Sequence, residues 1–452
     1  MTAPGHAGPA GRGVRTEPAG VDLDRLVDLD RIDLTDQDLF AERVPHAEFA
    51  ALRRHDPVHW QPERSGRGFW AVTRYEDVVA VSRDTATFSS QTGASALEDL
   101  APDALAARRS LIDMDPPGHT QLRRIVTPDF TRRATATYQQ RVRDIVTAVL
   151  DRALPLETFD FVEQVATAIP IRVLCQLLGV PPEDEALMIE LGDRMIANTD
   201  PDLTDVLLDS PDSERYRLLP FRSPASLQMH AYAQRLAGER NQEPRADVLT
   251  KLVSARVNGS PLPQREIDAM FLLLIVAGNE TTRSALSLGI QMFLANPDRW
   301  EQARGLDGAG LDRAVEELLR WTTPLHHFRR TATRDVELRG RQIRAGDKVV
   351  VWYSSANRDD EVFTEPDAVD LGRDPNPHVT FGRGGPHRCL GEHLARLELR
   401  VVLTELLGRA ERLEPAGPAR RIRSNFTNGL KSLPVHAVVT VADGRTDARS
   451  QL

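Results

Sequence analysis

The segment from Phe381 to Gly391 constrains this chain most, because four glycines and a proline force an irregular backbone directly before a helical pattern. Cys389 therefore lies at a predicted helix N-terminus, where the helix dipole and unpaired N–H groups favour the thiolate. Gly391 leaves room for a flat ligand to approach. A single axial thiolate suits haem iron, although a lone cysteine beside a glycine loop is also compatible with an ordinary buried thiol.

Composition excludes several classes of protein. Hydrophobic residues make up 41% of the 452 residues and charged residues 27%, as in ordinary globular proteins. The formal net charge of −9 disfavours nonspecific binding to nucleic acid or to an anionic membrane. The two cysteines, Cys175 and Cys389, exclude a disulfide framework and a zinc site of several thiolates. Because the longest apolar run, 269–277, is too short to span a bilayer, we expect a cytoplasmic protein with no membrane anchor.

The chain pattern predicts one large domain between two tails. Residues 1–20 are rich in Gly, Ala and Pro and predict a flexible tail; 21–441 form the catalytic domain, and 442–452 a C-terminal tail. Apolar residues at three- and four-residue spacing predict helices over 138–154, 161–178, 227–240, 264–294, 311–321 and 391–407. Strands are predicted at 69–72, 348–353 and 433–441. The fold class is therefore mainly α with small β-sheets, and the proline-rich stretch 200–224 predicts a mobile lid.

The longest predicted helix contains the sequence Ala277-Gly278-Asn279-Glu280-Thr281-Thr282. Small residues there make a poor core, since glycine inside a helix costs about 1 kcal/mol relative to alanine. Ala277 and Thr281 are four residues apart and share one helical face. The segment therefore predicts a groove with a hydroxyl at its edge.

Two further motifs place polar partners on a shared face. Glu317 and Arg320 are three residues apart, where they can pair, and Arg358 follows in the sequence Ala356-Asn357-Arg358-Asp359. His119 and Arg123 are four residues apart behind a Pro-Pro pair that starts a helix. Their donors therefore face one way, toward an anionic group.

Together with the cysteine loop, these motifs resemble those of the cytochrome P450 family in type and order, from about Val44 to Val435. The resemblance implies the P450 fold, with haem b between the oxygen-activation helix and the cysteine-loop helix. It implies a monooxygenase that inserts one oxygen atom from O2 into a C–H bond. The offset from Phe381 to Cys389 is eight residues, one more than the family's usual spacing.

The resemblance also implies roles for single residues. Cys389 is the metal ligand, and Glu280 with Thr281 delivers protons. Arg330 is preferred to Arg329 as a propionate ligand, because the family places this arginine five residues before an acid, here Asp335. The implied haem-binding residues are His119, Arg123, Ala277, Gly278, Arg330, Phe381, His387 and Cys389, and the implied structural network is Glu317, Arg320 and Arg358.

External electron donors are expected, because the sequence shows neither a glycine-rich dinucleotide motif nor cysteines for an iron–sulfur cluster. We expect a ferredoxin and a ferredoxin reductase, with docking on Arg123, Arg124, Arg132, Arg133, Arg383, Arg388 and Arg396. The likeness further implies a monomer that hydroxylates an apolar small molecule, a lipid, terpenoid, steroid or secondary-metabolite intermediate, in a pocket with Leu273, His326 and Asn428. Open alternatives are a carrier-bound or natural-product tailoring oxidase, a peroxygenase, and a non-catalytic haem-thiolate domain for binding or recruitment.

Overall fold

The computed structural model describes residues 28–64 and 66–439. The two tails predicted at 1–20 and 442–452 lie outside these residues. Within the described ranges the α-helices are α1 (Gln37–Glu42), α2 (His46–His55), α3 (Tyr75–Arg83), α4 (Pro102–Arg108), α5 (Gly118–Val126), α6 (Arg132–Thr137), α7 (Gln139–Ala153), α8 (Ala168–Leu178), α9 (Glu185–Ile196), α10 (Ala225–Gln242), α11 (Val248–Ser254), α12 (Gln264–Ala295), α13 (Pro297–Arg304), α14 (Gly308–Thr322), α15 (Tyr353–Ala356) and α16 (Glu392–Arg409).

The strands are short and gather mainly into two sheets. They are β1 (Val58–Gln61), β2 (Phe69–Val72), β3 (Phe88–Ser89), β4 (Thr158–Asp160), β5 (Arg256–Val257), β6 (Ser260–Pro261), β7 (His327–Ala332), β8 (Val336–Leu338), β9 (Arg341–Ile343), β10 (Lys348–Trp352), β11 (Ala410–Pro415), β12 (Arg420–Arg421), β13 (Leu430–Ser432) and β14 (Pro434–Val439). The larger sheet has the order β1-β2-β10-β7-β3, and a second one has the order β11-β14-β4. In the larger sheet only the β2–β10 pair is parallel.

The main core is helical and is organised around α12. This 32-residue helix packs against α8, α9, α10, α14 and α16. At 1.5 Å per residue its 32 residues span about 48 Å. Twenty-one of them are buried, so the helix runs through the core along most of its length. The fold class predicted from the sequence, mainly α with small sheets, is therefore confirmed.

The predicted elements agree with the structure to within a few residues at most ends. The strand predicted at 69–72 is β2, and that predicted at 348–353 is β10. The helix predicted over 161–178 is divided at Thr167, where a π-helical turn (Val162–Ala166) gives way to α8. The stretch 200–224 contains only 3-10 turns, at Pro211–Tyr216 and Pro220–Arg222; its role as a lid stays a prediction. No helix in the described part of the chain is long and apolar enough to cross a membrane.

Gly179 ends α8 in the left-handed region, with φ +79°, and a Cβ there would lie 2.1 Å from Asp247 Oδ2. Asp247 in turn forms a buried ion pair with Arg240 at 2.6 Å. We predict that Gly179→Ala lowers the free energy of unfolding by about 2–4 kcal/mol, through backbone strain and overpacking. The matched control is Gly238→Ala within α10, where a Cβ meets open space, and a gain of about 1 kcal/mol is expected. Urea denaturation of both variants measures the difference, and equal effects would contradict the packing.

Candidate functional site

The cysteine loop is closed by backbone contacts that only glycine permits. The Cys389 N–H donates to the Phe381 carbonyl at 2.7 Å, which folds the loop back on itself. Gly382 and Gly384 have φ of +69° and +89°. At Gly385 a Cβ would lie 2.0 Å from the backbone oxygen of Ser82, at the end of α3. The glycines predicted to force an irregular backbone therefore also fix the loop against α3.

The two cysteines have opposite surroundings. Cys175 is buried in α8, and burial raises the pKa of its thiol to about 12. Cys389 is exposed, three residues before the first residue of α16, whose N-cap is Gly391. The protein packed around Cys389 raises the pKa of its thiol, whereas a hydrogen bond from the Gly391 N–H and the nearby Arg123 guanidinium lower it. Only Cys389 is thus both accessible and beside cationic donors.

A cluster of buried nitrogen donors surrounds the loop. The rings of His119 and His387 lie 4.4 Å apart, centre to centre. His119 Nδ1, His387 Nε2 and Arg330 Nε are buried and have no hydrogen-bond partner among the described residues. Burial lowers the pKa of His119 to about 4 and that of His387 to about 3. Because buried polar groups are normally satisfied, these donors fit an anionic ligand.

The neighbouring arginines of β7 differ in their partners. Arg329 donates to the carbonyl of Glu98 at 2.7 Å and lies near Asp99. Arg330 is buried without an acid partner among residues 28–64 and 66–439, and within these ranges its Nη1 donates only to the Arg329 carbonyl. This contrast agrees with the choice of Arg330 for an external anion. Arg123 is less buried and donates to the Arg388 carbonyl at 2.6 Å.

Glu317 and Arg320 form a fully buried, bidentate ion pair with both N–O distances at 2.8 Å. The remaining Arg320 donors bind backbone carbonyls of 357, 366 and 368. Arg373 is a second cation at the Glu317 carboxylate, with its Nε 3.1 Å from Oε2. The Asn376 side-chain amide donates to the same oxygen at 3.0 Å. Glu317 therefore ties α14 to the loop that leads into the cysteine segment.

Arg358, predicted as the third member of this network, makes its direct contacts elsewhere, although its charge still acts on Glu317 and Arg320. Arg358 stacks over the Trp321 ring, 3.6 Å from its centre, and pairs with the exposed Asp367 at 2.8 Å. No hydrogen bond or ion pair joins it to Glu317 within the described ranges. Arg373 gave no sequence signal, because it reaches Glu317 from an irregular loop 56 residues away.

Removing Arg373 should destabilise the protein far more than removing Arg358. Arg373→Ala leaves the buried Glu317 carboxylate short of a cation, and we predict a loss of about 3–5 kcal/mol in the free energy of unfolding. Arg358→Ala removes a cation–π contact and an ion pair whose carboxylate partner, Asp367, is exposed, and about 1–2 kcal/mol is expected. Chemical denaturation compares the two variants; the reverse order would restore Arg358 as the network member.

Glu280 and Thr281 are adjacent in α12 but contact different surroundings. The Thr281 hydroxyl donates to the Ala277 carbonyl at 2.7 Å. Glu280 is buried, ion-paired with Arg283, and accepts from the Ser284 hydroxyl at 3.2 Å. Burial raises the pKa of the Glu280 carboxyl, which the Arg283 charge opposes. Arg283 also binds the partly exposed Asp193 of α9 at 2.8 Å, so a charged chain runs from Glu280 toward the surface.

Gly278 and Phe381 have packing roles of their own. A Cβ at Gly278 would lie 2.8 Å from Leu174 Cδ1, so the glycine lets α8 approach α12. The Arg396 guanidinium lies over the Phe381 ring, 4.5 Å from its centre, in a cation–π contact. Their contact with haem stays a prediction.

A cavity of about 550 Å³ lies beside α12. Leu273, Ala277 and Thr281 line it, together with the segment 94–113 and residues near Phe221. Two predicted pocket residues do not line it. His326 is buried, and its Nδ1 forms a hydrogen bond with the Ser354 hydroxyl. The Asn428 side-chain amide donates to the Thr322 carbonyl.

Their sequence neighbours line the cavity instead, namely His327, Asn425 and Phe426. The segments around 326 and 428 that the family resemblance implies therefore do reach the cavity, although through other side chains. The sequence alone does not determine which side chain of each segment turns inward, because partners such as Ser354 and Thr322 come from elsewhere in the fold.

The seven arginines expected to form a docking surface differ in their partners, and Arg123 is the half-buried one that donates to the Arg388 carbonyl. Arg388 and Arg396 pair with Glu392, and Arg396 also with Glu316. Arg124, Arg132, Arg133 and Arg383 are exposed and form no ion pair with the described residues. Helix α6, which carries two of them, packs against α16.

Known proteins resemble this chain over most of its length. A steroid C26-monooxygenase of Mycolicibacterium smegmatis is 36% identical over 409 residues, which cover 88% of this chain and 92% of that protein. The chain belongs to the cytochrome P450 family. The cytochrome P450 family model itself matches residues 310–429.

Other members of the family agree with this assignment. A linalool 8-monooxygenase of Pseudomonas putida is 36% identical over 90% of this P450 and 99% of its own length. The structure of a Mycobacterium marinum cytochrome P450 in complex with pseudoionone superposes with a TM-score of 0.82, at 36% identity, and covers 90% of this chain and 98% of that one. This P450 is therefore a haem-thiolate monooxygenase, an oxidoreductase that binds apolar substrates and takes electrons from redox partners.

Proposed function

We propose that this P450 hydroxylates an apolar small molecule of the lipid, terpenoid or steroid kind, with electrons from an external ferredoxin and its reductase. The observation that carries the proposal is the cavity beside Ala277 and Thr281, whose α12 wall between 269 and 277 is apolar. Relatives whose names state a substrate class act on a steroid, on linalool and on a methyl-branched lipid. A secondary-metabolite intermediate has the same apolar character and remains within the proposal.

Cys389 is the proposed thiolate ligand of the iron. The accessible thiol, the Gly391 N–H and the two cations Arg123 and Arg396 support this choice over Cys175. The thiolate-bound haem supplies the oxygen-activating chemistry. The unsatisfied nitrogens of His119, His387 and Arg330 fit the two haem carboxylates; Arg123 is the fourth proposed donor.

Glu280 and Thr281 are the proposed proton-delivery residues. The Thr281 hydroxyl lies at the cavity wall, where it can hold a proton beside the reacting oxygen. The buried Glu280 carboxylate is connected through Arg283 to Asp193, which solvent reaches. A charged route from the surface to the helix segment next to the cavity supports this assignment.

Replacement of the iron ligand tests the proposal. We predict that Cys389→Ser loses the strongly red-shifted Soret band of the reduced carbon monoxide complex, because the thiolate is its source. Cys175→Ala is the control and should keep the band, since Cys175 is a core thiol. Circular dichroism establishes that both variants fold. A Cys389→Ser protein that keeps the band would refute the assignment.

Ferredoxin docking on the free arginines is the second test. We predict that the triple variant Arg124→Glu, Arg132→Glu and Arg133→Glu slows ferredoxin-dependent reduction at least tenfold at low ionic strength, and that the difference shrinks as salt rises. Reduction by dithionite should not change. Charge reversal at the exposed Arg31 and Arg344 of other segments provides the control. Stopped-flow absorbance measures each rate; equal slowing by the control reversals would exclude this docking surface.

A further inference from the structure

A strained turn lies at the wall of the cavity. From the irregular stretch 200–224, the residues Leu208, Pro220 and Phe221 line the cavity. Phe221 has φ +58° and ψ +13°, and the next residue, Arg222, has φ +50°. Successive left-handed residues with large side chains are uncommon, because each Cβ crowds the following carbonyl oxygen. Such a turn persists only where its surroundings hold it.

The backbone of the turn is anchored to the end of α9. Asn198 Nδ2 donates to the Phe221 carbonyl at 2.9 Å. The Ser223 hydroxyl, one residue beyond the turn, donates to the Arg194 carbonyl at 3.1 Å. Asn198 itself lines the cavity, so the first of these hydrogen bonds fixes the turn at the cavity wall.

The Arg222 side chain ties the turn to another part of the wall. Its Nε lies 2.5 Å from Glu98 Oε1, and Glu98 belongs to the segment 94–113 that lines the cavity. Its Nη1 donates to Glu214 at 2.9 Å. Glu98 also pairs with Arg108 at 2.7 Å. The Arg222 and Glu98 side chains are 18% and 13% exposed, so water screens their attraction less than that of a surface pair.

A second ion pair joins the same two parts of the chain without touching the turn. Arg217 binds Asp103 through two hydrogen bonds, of 2.8 and 2.6 Å. The two side chains are 37% and 55% exposed. An exposed pair of this kind contributes little to stability, and it offers a matched control for the Arg222–Glu98 pair.

The Phe221 ring is the group that the turn presents. Phe221 is partly buried, and its side chain packs against the main helical core. It lines the same cavity as Ala277 and Thr281 of α12. A planar ring that is held in place removes a fixed part of the breadth of the cavity. A flexible chain can pass beside such a ring, whereas a rigid cage cannot become narrower.

We infer that Phe221 is a specificity-determining residue, whose ring shifts selectivity toward slender, acyclic apolar molecules and against compact polycyclic ones of the same size. Arg222 and Asn198 are positioning residues, because they hold the turn that places the ring. The inference rests on the proposed function and narrows its substrate class by shape.

Two isomeric alcohols test the inference with the haem-loaded protein. Farnesol is an acyclic chain and cedrol a tricyclic cage of the same molecular formula, so they differ in shape and not in charge. Dissociation constants come from the Soret shift and, independently, from equilibrium dialysis. We expect Phe221→Ala to shift the ratio of the two affinities at least tenfold toward cedrol. An unchanged ratio, a shift toward farnesol, or a native protein that binds neither alcohol would overturn the inference.

The variant Arg222→Gln tests the positioning role without removing the ring. Glu98 keeps Arg108 as its partner in this variant, so its carboxylate is not left without a cation. We expect the affinity ratio to shift at least threefold toward cedrol. Arg217→Gln is the matched control, because it breaks the other ion pair and leaves the turn in place, and the ratio should not change. Equal shifts in both variants would refute the role of the turn.

Glycine reports on the strain independently of ligand binding. At a left-handed φ, glycine is free of the crowding that the Cβ of alanine suffers. Phe221→Gly should therefore have a higher urea midpoint than Phe221→Ala, the reverse of the order expected at an ordinary φ. An alanine variant at least as stable as the glycine variant would contradict the strained turn that the inference requires.

The carbon monoxide spectrum separates this inference from the proposed function. A protein that keeps the red-shifted band, but whose affinity ratio does not respond to Phe221→Ala, contradicts only the role of the ring. A protein without that band contradicts the haem-thiolate assignment itself.

Discussion

The hydrogen bonds and ion pairs of the buried Glu317 carboxylate hold the loop 357–376, and the position of the cysteine segment depends on that loop. The carboxylate accepts from Arg320, Arg373 and Asn376 and from the backbone N–H of Asp370. A charge this deeply buried is tolerated only when its oxygens are fully paired. The loop 357–376 must therefore keep its course for Glu317 to remain satisfied, and that loop delivers the chain to the cysteine segment. The position of Cys389 is in this way secured from α14.

Local patterns in the sequence were sufficient for much of the fold. The spacing of apolar residues located α12 and α16, since a helix that buries one face must repeat its apolar residues with the helical period. Phe69–Val72 likewise matches its strand. Strand β7 was missed because His327, Arg329 and Arg330 are buried there, which no local pattern indicates.

The parts of the site that sequence reasoning missed are defined by distant contacts. Arg373 takes the place expected for Arg358 because a loop folds back over 56 residues to Glu317. His326 turns away from the cavity because Ser354 of α15 offers it a partner, and His327 lines the cavity instead. Such choices between neighbouring side chains depend on which polar group elsewhere needs satisfaction. They follow from tertiary structure rather than from spacing.

Strand β7 contacts both the wall of the cavity and the proposed haem edge. Arg329 binds the carbonyls of 96–98, part of the cavity wall, while the next residue, Arg330, presents an unsatisfied nitrogen to the proposed haem edge. Both arginines belong to one strand that is hydrogen-bonded to β10 along its length. Adjacent residues of β7 therefore hold one contact of the cavity wall and one proposed contact of the haem edge. Any change in the course of this strand would move both contacts together.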